Sequence, residues 1–457
     1  MRLKSATLRP AAFAAVIVLG GLVPQRAAAQ TGTSGLWQRS NLLGDLAGLR
    51  PALAGRGITL WLQTSNEAFA NTTGGINRGL AADGMTMLTL TMDTAKAIGL
   101  DGGTFNISGL WLYGPNFSQG YLGNLQSVSG IAGQPSVRLW EAWYQQFFLT
   151  GKLDIKLGQQ SADQDFMVST GASLFLNAMM GWPILPAADL YAGGPAFPLS
   201  SLGMRARAQP AKGVTLLAGV FDDNPPGGPF QDDSQLRGAE RYGALFNINT
   251  GVLAIIEAQY ATSTRLPGTY KLGMWFDSGR FPDQRFDDTG RSLADPGSDG
   301  RPQWHWHNYG VYGVIDQTVW RPGPDAARAI AVFARPMVAP ADRNLISFSF
   351  KAGVTVKAPV SGRDNDSLGV GVGVANVSAR ASGLNRDTIG FSGAWQPVRG
   401  AETFIEVTYL TQITPWLQVQ PDFQYFWMPG GGVLNPARPQ QRIGNEAVFG
   451  VRSVTLF

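Results

Sequence analysis

Apolar and polar side chains alternate along the stretch 402–427, which consists of two such runs joined at Thr414–Pro415. In the first run Ile405 and Val407 point to one side and Glu406 to the other. Because successive side chains of a strand face opposite ways, the pattern predicts a β-hairpin with one apolar and one polar face. Aromatic residues crowd the ends of the apolar face, as on a transmembrane barrel strand, although a soluble β-sandwich would also alternate.

Comparable alternation recurs along the chain and defines seventeen candidate strands. Besides the two runs of the hairpin they are 58–69, 85–94, 104–113, 138–148, 153–159, 200–208, 213–221, 241–249, 252–260, 269–277, 309–317, 328–335, 345–355, 367–377 and 446–457. Bacterial barrels have an even number of strands, so we predict an all-β, transmembrane antiparallel β-barrel of sixteen strands, with eighteen as the alternative. The run 269–277 is the weakest candidate, because the charged stretch Ser278–Asn308 that follows it is typical of a loop.

Short connections alternate with long ones. Thr150–Gly151, Thr250–Gly251 and Thr414–Pro415 are typical of the short periplasmic turns of such barrels, and longer segments are typical of their outer loops. The longest irregular segment is Ser161–Leu199. Loops of this length in a compact β protein are usually functional.

The amino-acid composition is consistent with a transmembrane β-barrel. Only 15% of the 457 residues are charged, against about 25% in soluble domains. Glycine (58) and proline (28) are frequent, which suits many short strands and turns, and cysteine is absent, which excludes thiol chemistry. Beyond residue 30 we find no apolar run long enough for a spanning helix. A closed barrel is then the remaining way to cross a membrane.

Residues 1–29 have the features of a secretory signal peptide, with basic residues before a short apolar run, Ala11–Val23, and the small residues Ala27–Ala29 at the cleavage position. We expect the mature chain to begin at Gln30, the alternative being a retained anchor. Residues 30–57 would then form an N-terminal periplasmic segment and residues 58–457 the transmembrane β-barrel.

Removal of this peptide changes the charge balance. The net charge of +4 includes Arg2, Lys4, Arg9 and Arg26, and the peptide holds no acidic residue, so +4 − 4 leaves about zero. A neutral chain gives no electrostatic argument for a nucleic-acid or polyanion partner. It suits a neutral solute better than an ion.

Several stretches share an order and spacing with a known family. They are Asn41–Leu53 with Gly57–Ile58, Thr73–Gly75, Arg138–Trp143, Lys152–Gly158, Glu402–Gly432 and the terminal Phe457. Together they resemble the carbohydrate-selective porins of the OprB family in Gram-negative outer membranes, with a departure at Leu46, where an aromatic residue is usual. The resemblance implies a sixteen-stranded barrel in outer-membrane lipid that passes small sugars, such as glucose or other monosaccharides, by diffusion. It leaves open whether the chain forms a homotrimer.

The alternation of side chains along the strands predicts which residues line the lumen. If the apolar face meets lipid, the opposite side chains line the lumen, and the candidates for pore lining and solute contact are Glu67, Glu141, Trp143, Lys156, Arg205, Arg207, Glu257, Gln259, Glu406, Asp422 and Arg452. Opposed acids and bases can hydrogen-bond sugar hydroxyls, and an aromatic ring can stack on a sugar. The alternative is that these charges are solvated or pair with one another.

We further predict that the segment 161–199 folds into the lumen as a constriction. Its apolar part, Leu174–Trp182, would pack on the wall, and Asp163 or Asp165 would face the solute. The alternative is a loop on the outer surface.

The sequence has few features of a metal site or of a catalytic site. His305 and His307 lie two apart and would share a strand face, but no third ligand is near and both fall in a predicted loop. No catalytic or phosphate-binding motif is present, so we expect no enzyme and no cofactor. The alternative to a porin is an exported soluble, β-rich carbohydrate-binding or adhesive protein, and an outer-membrane enzyme ranks third.

Overall fold

The computed structural model describes residues 35–227, 241–323 and 326–457. The strands are β1 (Ile58–Gly75), β2 (Gly79–Asp93), β3 (Gly103–Tyr113), β4 (Ser136–Phe148), β5 (Leu153–Gln160), β6 (Ser201–Ala211), β7 (Val214–Asp222), β8 (Val252–Ala261), β9 (Gly268–Asp287), β10 (Pro302–Trp320), β11 (Ala329–Val338), β12 (Ile346–Lys357), β13 (Ser367–Val377), β14 (Ala401–Thr414), β15 (Leu417–Trp427), β16 (Leu434–Asn435), β17 (Arg438–Arg442) and β18 (Gly444–Leu456). The α-helices are short: α1 (Leu49–Gly55), α2 (Thr94–Ile98), α3 (Ala178–Gly181), α4 (Ile184–Asp189) and α5 (Ala379–Ser392).

Sixteen of these strands close into one antiparallel barrel, and β16 and β17 form a separate small hairpin. Each strand from β1 to β15 pairs with its neighbour in the chain, and β18 completes the wall between β15 and β1. At this seam Glu67 lies opposite Arg452. Closure pairs the backbone groups at every strand edge, which a lipid environment requires. The predicted all-β barrel of sixteen strands is confirmed.

Two opposite faces follow from the alternation. On β14, Val407 is 38% exposed on the outside of the barrel, whereas its neighbour Glu406 is fully buried on the inside. Large apolar side chains are likewise exposed on the outer face of other strands, among them Ile107, Trp111 and Leu272. An apolar outer band is what the acyl chains of a bilayer require of a barrel wall.

The connections differ between the two rims. One rim carries the turns 149–152, 212–213, 262–267 and 415–416, and the other carries the long connections 114–135, 161–200, 288–301 and 378–400. Thr250–Gly251 was expected at the rim with the short turns, and that prediction is wrong. It ends the connection that begins after Asp222 and therefore lies at the rim with the long ones.

The segment 35–57 lies at the rim with the short turns and is tied to the last strand. The Leu42 N–H donates to the carbonyl of Leu456 over 2.8 Å, and the Arg50 guanidinium donates to a backbone oxygen of Phe457. The segment contains the helix α1, which ends at Gly55. No helix in the described ranges is long and apolar enough to span a membrane. The predicted signal peptide, 1–29, lies outside the described residues.

Two strand assignments from the sequence are corrected. The run 241–249 is not a strand: Tyr242, Phe246 and Ile248 are exposed, and positive φ angles at Gly243 and Phe246 turn the chain away from an extended course. Alternation alone does not make a strand when no neighbouring strand pairs with it. This run, rather than 269–277, was the surplus candidate.

The run 269–277 is a genuine strand and belongs to β9. The charged stretch after it is not all loop, because β9 continues to Asp287 and pairs with β10, where His305 lies opposite Phe281. The connecting loop is therefore reduced to 288–301. Backbone hydrogen bonds between β9 and β10 extend the hairpin into the stretch 278–308, whose charged side chains suggested a loop.

Candidate functional site

The segment 161–199, called the inner segment below, lies inside the barrel between β5 and β6. It reaches opposite parts of the wall: the Ser161 N–H donates to Glu141 of β4 over 3.0 Å, and the Leu176 N–H donates to Glu406 of β14 over 2.5 Å. Its proline and glycine residues allow only short helical turns, including α3 and α4. The segment therefore crosses the lumen as irregular chain and needs partners for its backbone groups.

One part of the wall makes room for this segment by lacking side chains. On β13 three successive inward positions are Gly369, Gly371 and Gly373, which we call the glycine wall. A methyl group added at Gly371 would lie 2.8 Å from the side chains of Met180 and Phe175, and one at Gly369 would lie 2.9 Å from Leu174. The apolar part of the inner segment thus fills the space that these glycines leave open.

Wall carboxylates hold the backbone of the inner segment. Glu406 also accepts from the Asn177 N–H, and Glu257 of β8 accepts from the Met167 N–H over 2.9 Å. Asp316 of β10 accepts from the Gly171 N–H over 2.8 Å, from the Thr170 N–H and from the Ser169 hydroxyl. Hydrogen bonds to a charged acceptor are stronger than neutral ones. These carboxylates therefore fix the path of the segment across the lumen.

On the opposite side of the barrel, inward charges of β5 and β6 pair with one another and with Asp165 of the inner segment. Arg205 forms ion pairs with Asp154 and, over 3.2 Å, with Asp165, while Arg207 pairs with Asp154 over 2.6 Å and Lys156 pairs with Asp165. We call these five residues the charged wall. Burial alone would raise the pKa of the Asp165 carboxyl, but the charges of Lys156 and Arg205 outweigh burial and hold that pKa below its usual range.

Glu141 and Trp143 lie beside the charged wall. The Trp143 indole N–H donates to Glu141 over 3.1 Å, and the Lys156 ammonium lies 5.2 Å from the Trp143 ring centroid. The ring face is therefore close to a cation, at a distance where cation–π attraction acts. Trp143 is half-buried and is not among the residues that line the cavity described below.

The remaining predicted residues lie near the closing seam or on β8. Glu67 pairs with Arg452 and accepts from the Ser129 hydroxyl, while Asp422 accepts from the Gln424 amide over 2.9 Å. On β8 the Gln259 amide donates to Glu257 over 2.6 Å. The predicted lumen residues thus point inward, and each has a protein partner. Their contact with a solute stays a prediction.

A second segment joins the first inside the barrel. In the connection between β3 and β4, the N–H groups of Leu125 and Gln126 donate to Glu402 of β14 over 2.7 and 2.8 Å. The Gly130 N–H donates to the carbonyl of Leu176, and the Ala178 N–H donates to the carbonyl of Ser127. The inner segment is therefore held by another loop as well as by the wall.

A cavity of about 230 Å³ remains between these segments. Its lining combines aromatic rings, polar side chains, backbone and one guanidinium: Phe175, Trp182, Phe197, Ser169, Ser173, Asn177, Asp163 and Arg452. Asp163 accepts from the Phe197 N–H over 3.0 Å, and burial raises the pKa of its carboxyl. Of the charges predicted from strand alternation, Arg452 is the one that reaches the cavity.

Sequence reasoning missed three wall residues that hold the inner segments: Glu402, Asp316 and Arg335. Glu402 lies on the same strand face as Glu406, so the period that identified one would have identified the other. The glycine wall also had a signal, since Gly369, Gly371 and Gly373 alternate with valines in the run 367–377. An inward face without side chains indicates that something else occupies that space.

The two histidines do not form a metal site. Both lie in β10 rather than in a loop, which corrects the expectation, and a bulge between Trp306 and Asn308 breaks the alternation between them. His305 Nε2 lies 2.9 Å from Asp283, whereas His307 packs beside Phe276. In the described parts of the chain no group of three potential ligands could hold a metal ion.

Comparisons with known proteins agree with this architecture. The family model "Carbohydrate-selective porin, OprB family" matches residues 77–457. Porin B of Pseudomonas aeruginosa is 25% identical over 436 residues, which cover 91% of each chain. The putative porin QuiX of Acinetobacter baylyi is 22% identical over 86% of this chain and 89% of its own.

Solved structures share the fold. The high-pH structure of OprB from Pseudomonas putida superposes with a TM-score of 0.81 at 22% identity, over 93% of this chain and all (100%) of that one. The low-pH structure of the same protein gives a TM-score of 0.55 at 17% identity, over 92% and 99% of the two chains. With the family match across most of its length, the chain belongs to the carbohydrate-selective porins of the OprB family, which are outer-membrane channels and not enzymes.

Proposed function

We propose that the inner segment forms the constriction of this porin and that its cavity passes neutral sugars of monosaccharide size, such as glucose, by passive diffusion. The observation that carries the proposal is the cavity of about 230 Å³ between the inner segment and the loop before β4. The small size of this space suits a single hexose better than a chain of them.

The charge arrangement supports a neutral solute. The inward acids and bases of the charged wall are paired with each other, and Glu257, Glu406 and Asp316 are occupied by backbone N–H groups. In this proposal Glu67, Glu141, Trp143, Lys156, Arg205, Arg207, Glu257, Glu406 and Asp422 line the pore wall and shape the passage. Few charges remain to attract or repel a passing ion.

The cavity lining offers what a sugar needs. Ser169, Ser173 and Asn177 bring polar groups, and backbone of the inner segment adds carbonyl and amide groups. Phe175 and Trp182 add rings on which the apolar face of a sugar can stack. Polar groups that hydrogen-bond hydroxyls, combined with an aromatic surface, favour a carbohydrate over a simple ion of similar size.

The test is liposome swelling with the purified protein. We expect rates that fall steeply from glucose to a disaccharide to a trisaccharide, and lower rates for gluconate and glucosamine than for glucose. Replacing residues 170–181 by a short Gly-Ser linker should raise single-channel conductance and flatten this size dependence. A replacement of the same length within the loop 288–301 is the control. Unchanged conductance in the first variant would remove the constriction from the proposal.

The processing and assembly of the chain are part of the proposal. N-terminal sequencing of protein purified from outer membranes should give Gln30 as the first residue, with residues 30–57 on the periplasmic side. The mass of the detergent-solubilised protein, corrected for bound detergent, distinguishes a monomer from a homotrimer. A chain that keeps residues 1–29 would contradict the cleavage.

A further inference from the structure

Arg335 of β11 is a buried cation that points into the barrel, and its side chain is 1% exposed. Its guanidinium donates to backbone carbonyls of the inner segment: Nη1 to Met167 over 3.0 Å and to Gly181 over 2.8 Å, and Nη2 to Met179 over 2.7 Å. A buried charge is costly unless its hydrogen-bonding capacity is satisfied. Here the backbone of the inner segment supplies acceptors for Nη1 and Nη2, while Nε has no hydrogen-bond partner among the described residues.

These three carbonyls lie at the two ends of the bend 167–181. The guanidinium is a rigid planar group with its donors in fixed directions, so it holds both ends of the bend at a defined separation. Met179, Gly181 and the neighbouring Trp182 line the cavity. One wall residue therefore fixes the position of the chain that bounds the passage.

The neighbouring strand holds the same bend with the opposite charge. Asp316 of β10 accepts from N–H groups at Thr170 and Gly171, close to the place where Arg335 binds the carbonyl of Met167. An anion thus binds the donors and a cation binds the acceptors of one short stretch. The two contacts oppose rotation of the bend about its own axis.

Lys351 of β12 provides an internal comparison. It lies directly opposite Arg335 in the strand register and is equally buried, at 1% exposed. In the described parts of the chain its Nζ has no hydrogen-bond partner, so it does not hold the inner segment. Both residues are basic and equally buried, but Arg335 alone of the pair binds the segment.

We propose that Arg335 is the positioning residue that sets the width of the passage. This inference rests on the proposed function, in which the inner segment is the constriction. Without the guanidinium, the bend 167–181 loses the link between its two ends and moves away from β11. The passage then changes in cross-section, and the discrimination between sugars of different size weakens.

The experiment compares R335M, R335K and K351M by liposome swelling with a monosaccharide, a disaccharide and a trisaccharide. R335M should change the disaccharide-to-monosaccharide ratio severalfold. R335K should give an intermediate ratio, because an ammonium group cannot reproduce the fixed fork of the guanidinium. K351M removes an equally buried basic side chain next to it, which does not bind the inner segment, and should keep the wild-type ratio. Heat-dependent mobility on gels verifies that each variant is folded.

The outcomes separate this inference from the proposal on which it rests. Equal changes in R335M and K351M would show a general effect of removing a buried basic side chain from this part of the wall and would overturn the positioning role. If R335M does not fold, R335K decides, and a wild-type ratio in R335K overturns the inference. If the linker replacement of 170–181 widens the channel while R335M has no effect, the constriction stands and Arg335 does not set its width. If that replacement has no effect, the constriction itself fails.

Discussion

The charged wall and the glycine wall are two parts of the same barrel. Their strands alternate in the same way, but the first has long charged side chains on its inward face and the second has glycines. On β5 and β6 long side chains fill the inward face, and Arg205 binds Asp154 and Asp165. On β13 three inward positions lack side chains, and Phe175 and Met180 of the inner segment fill the space beside Gly369 and Gly371. The first face is completed by its own strands together with Asp165 of the inner segment, whereas the second has no inward side chains at its glycines and is covered there by the apolar part of that segment.

This difference teaches that facing and function are separate properties of a strand residue. A period of two assigns a side chain to the inside, but it does not say what the side chain meets there. At the charged wall the inward residues meet each other, so their loss should mainly affect stability. At the glycine wall the inward positions meet the inner segment, so their change should mainly affect passage.

The largest expected effect is that of G371L. A Cβ at this position would already lie 2.8 Å from Met180 and Phe175, so a leucine must push the inner segment away from β13 and into the lumen. We expect glucose uptake in swelling assays to fall severalfold, with disaccharide uptake lost first. G390L, at a helical position with open space around it, is the matched control. Equal uptake by both variants would contradict the packing argument.

The next effect is expected at the charged wall with R205M. It leaves Asp154 with Arg207 and Asp165 with Lys156, so buried carboxylates lose one of their cations. A buried charge left without any partner costs about 3–5 kcal/mol, and the loss is smaller here because each carboxylate keeps a second cation. The unfolding temperature in detergent should therefore fall, while the ratio of disaccharide to glucose uptake stays that of the wild type. A changed ratio with unchanged stability would reverse the assignment of the two walls.

A smaller effect is expected for E406Q, which keeps the shape of the side chain that holds Leu176 and Asn177 but replaces one accepting oxygen by an NH2 group. The NH2 group cannot accept, so a hydrogen bond that contributes about 0.5–1.5 kcal/mol is lost. We expect larger current fluctuations in single-channel recordings because the inner segment is held less firmly. T403A on the outward face of the same strand is the control, and it should leave the recordings quiet.

The smallest effect concerns acid stability. Because Lys156 and Arg205 hold the pKa of Asp165 below its usual range despite burial, the carboxylate stabilises the fold above the unfolded-state pKa of about 3.9. That contribution is lost as the pH falls through the lower pKa of the folded state. The difference in unfolding temperature between wild type and D165N should stay constant from neutral pH to about pH 5 and shrink below about pH 4. A difference that already shrinks near neutral pH would contradict this assignment.

Much of the fold could be predicted from the sequence because it depends on local periodicity. The hairpin 402–427, the barrel and the inward direction of Glu406 all follow from alternation. The surplus strand 241–249 could not be recognised, since its alternation resembles that of a paired strand and only the missing neighbour distinguishes it. Strand β9 was underrated for the converse reason, because its pairing with β10 continues through charged residues.

The contacts of the candidate site could not be predicted from the sequence in the same way. Glu257 and Met167, or Arg335 and Gly181, are far apart in the chain and meet only after the barrel is closed. Their pairing depends on how the inner segment bends, and its irregular backbone has no period to follow. The inward glycines of β13 were the one indication in the sequence, since inward positions without side chains require packing by another segment of the chain.

The glycine wall also bears on how sequences of this kind can diverge. A residue at position 371 and the residues at 175 and 180 share one volume, so enlarging the first is tolerated together with trimming the others. Homologues with a bulkier residue at the position of Gly371 should carry smaller residues at the positions of Phe175 and Met180. A compensating pair such as G371A with F175L should regain the wild-type behaviour that each change alone disturbs. Positions that are far apart in the chain should then vary together in evolution, because their side chains share one volume.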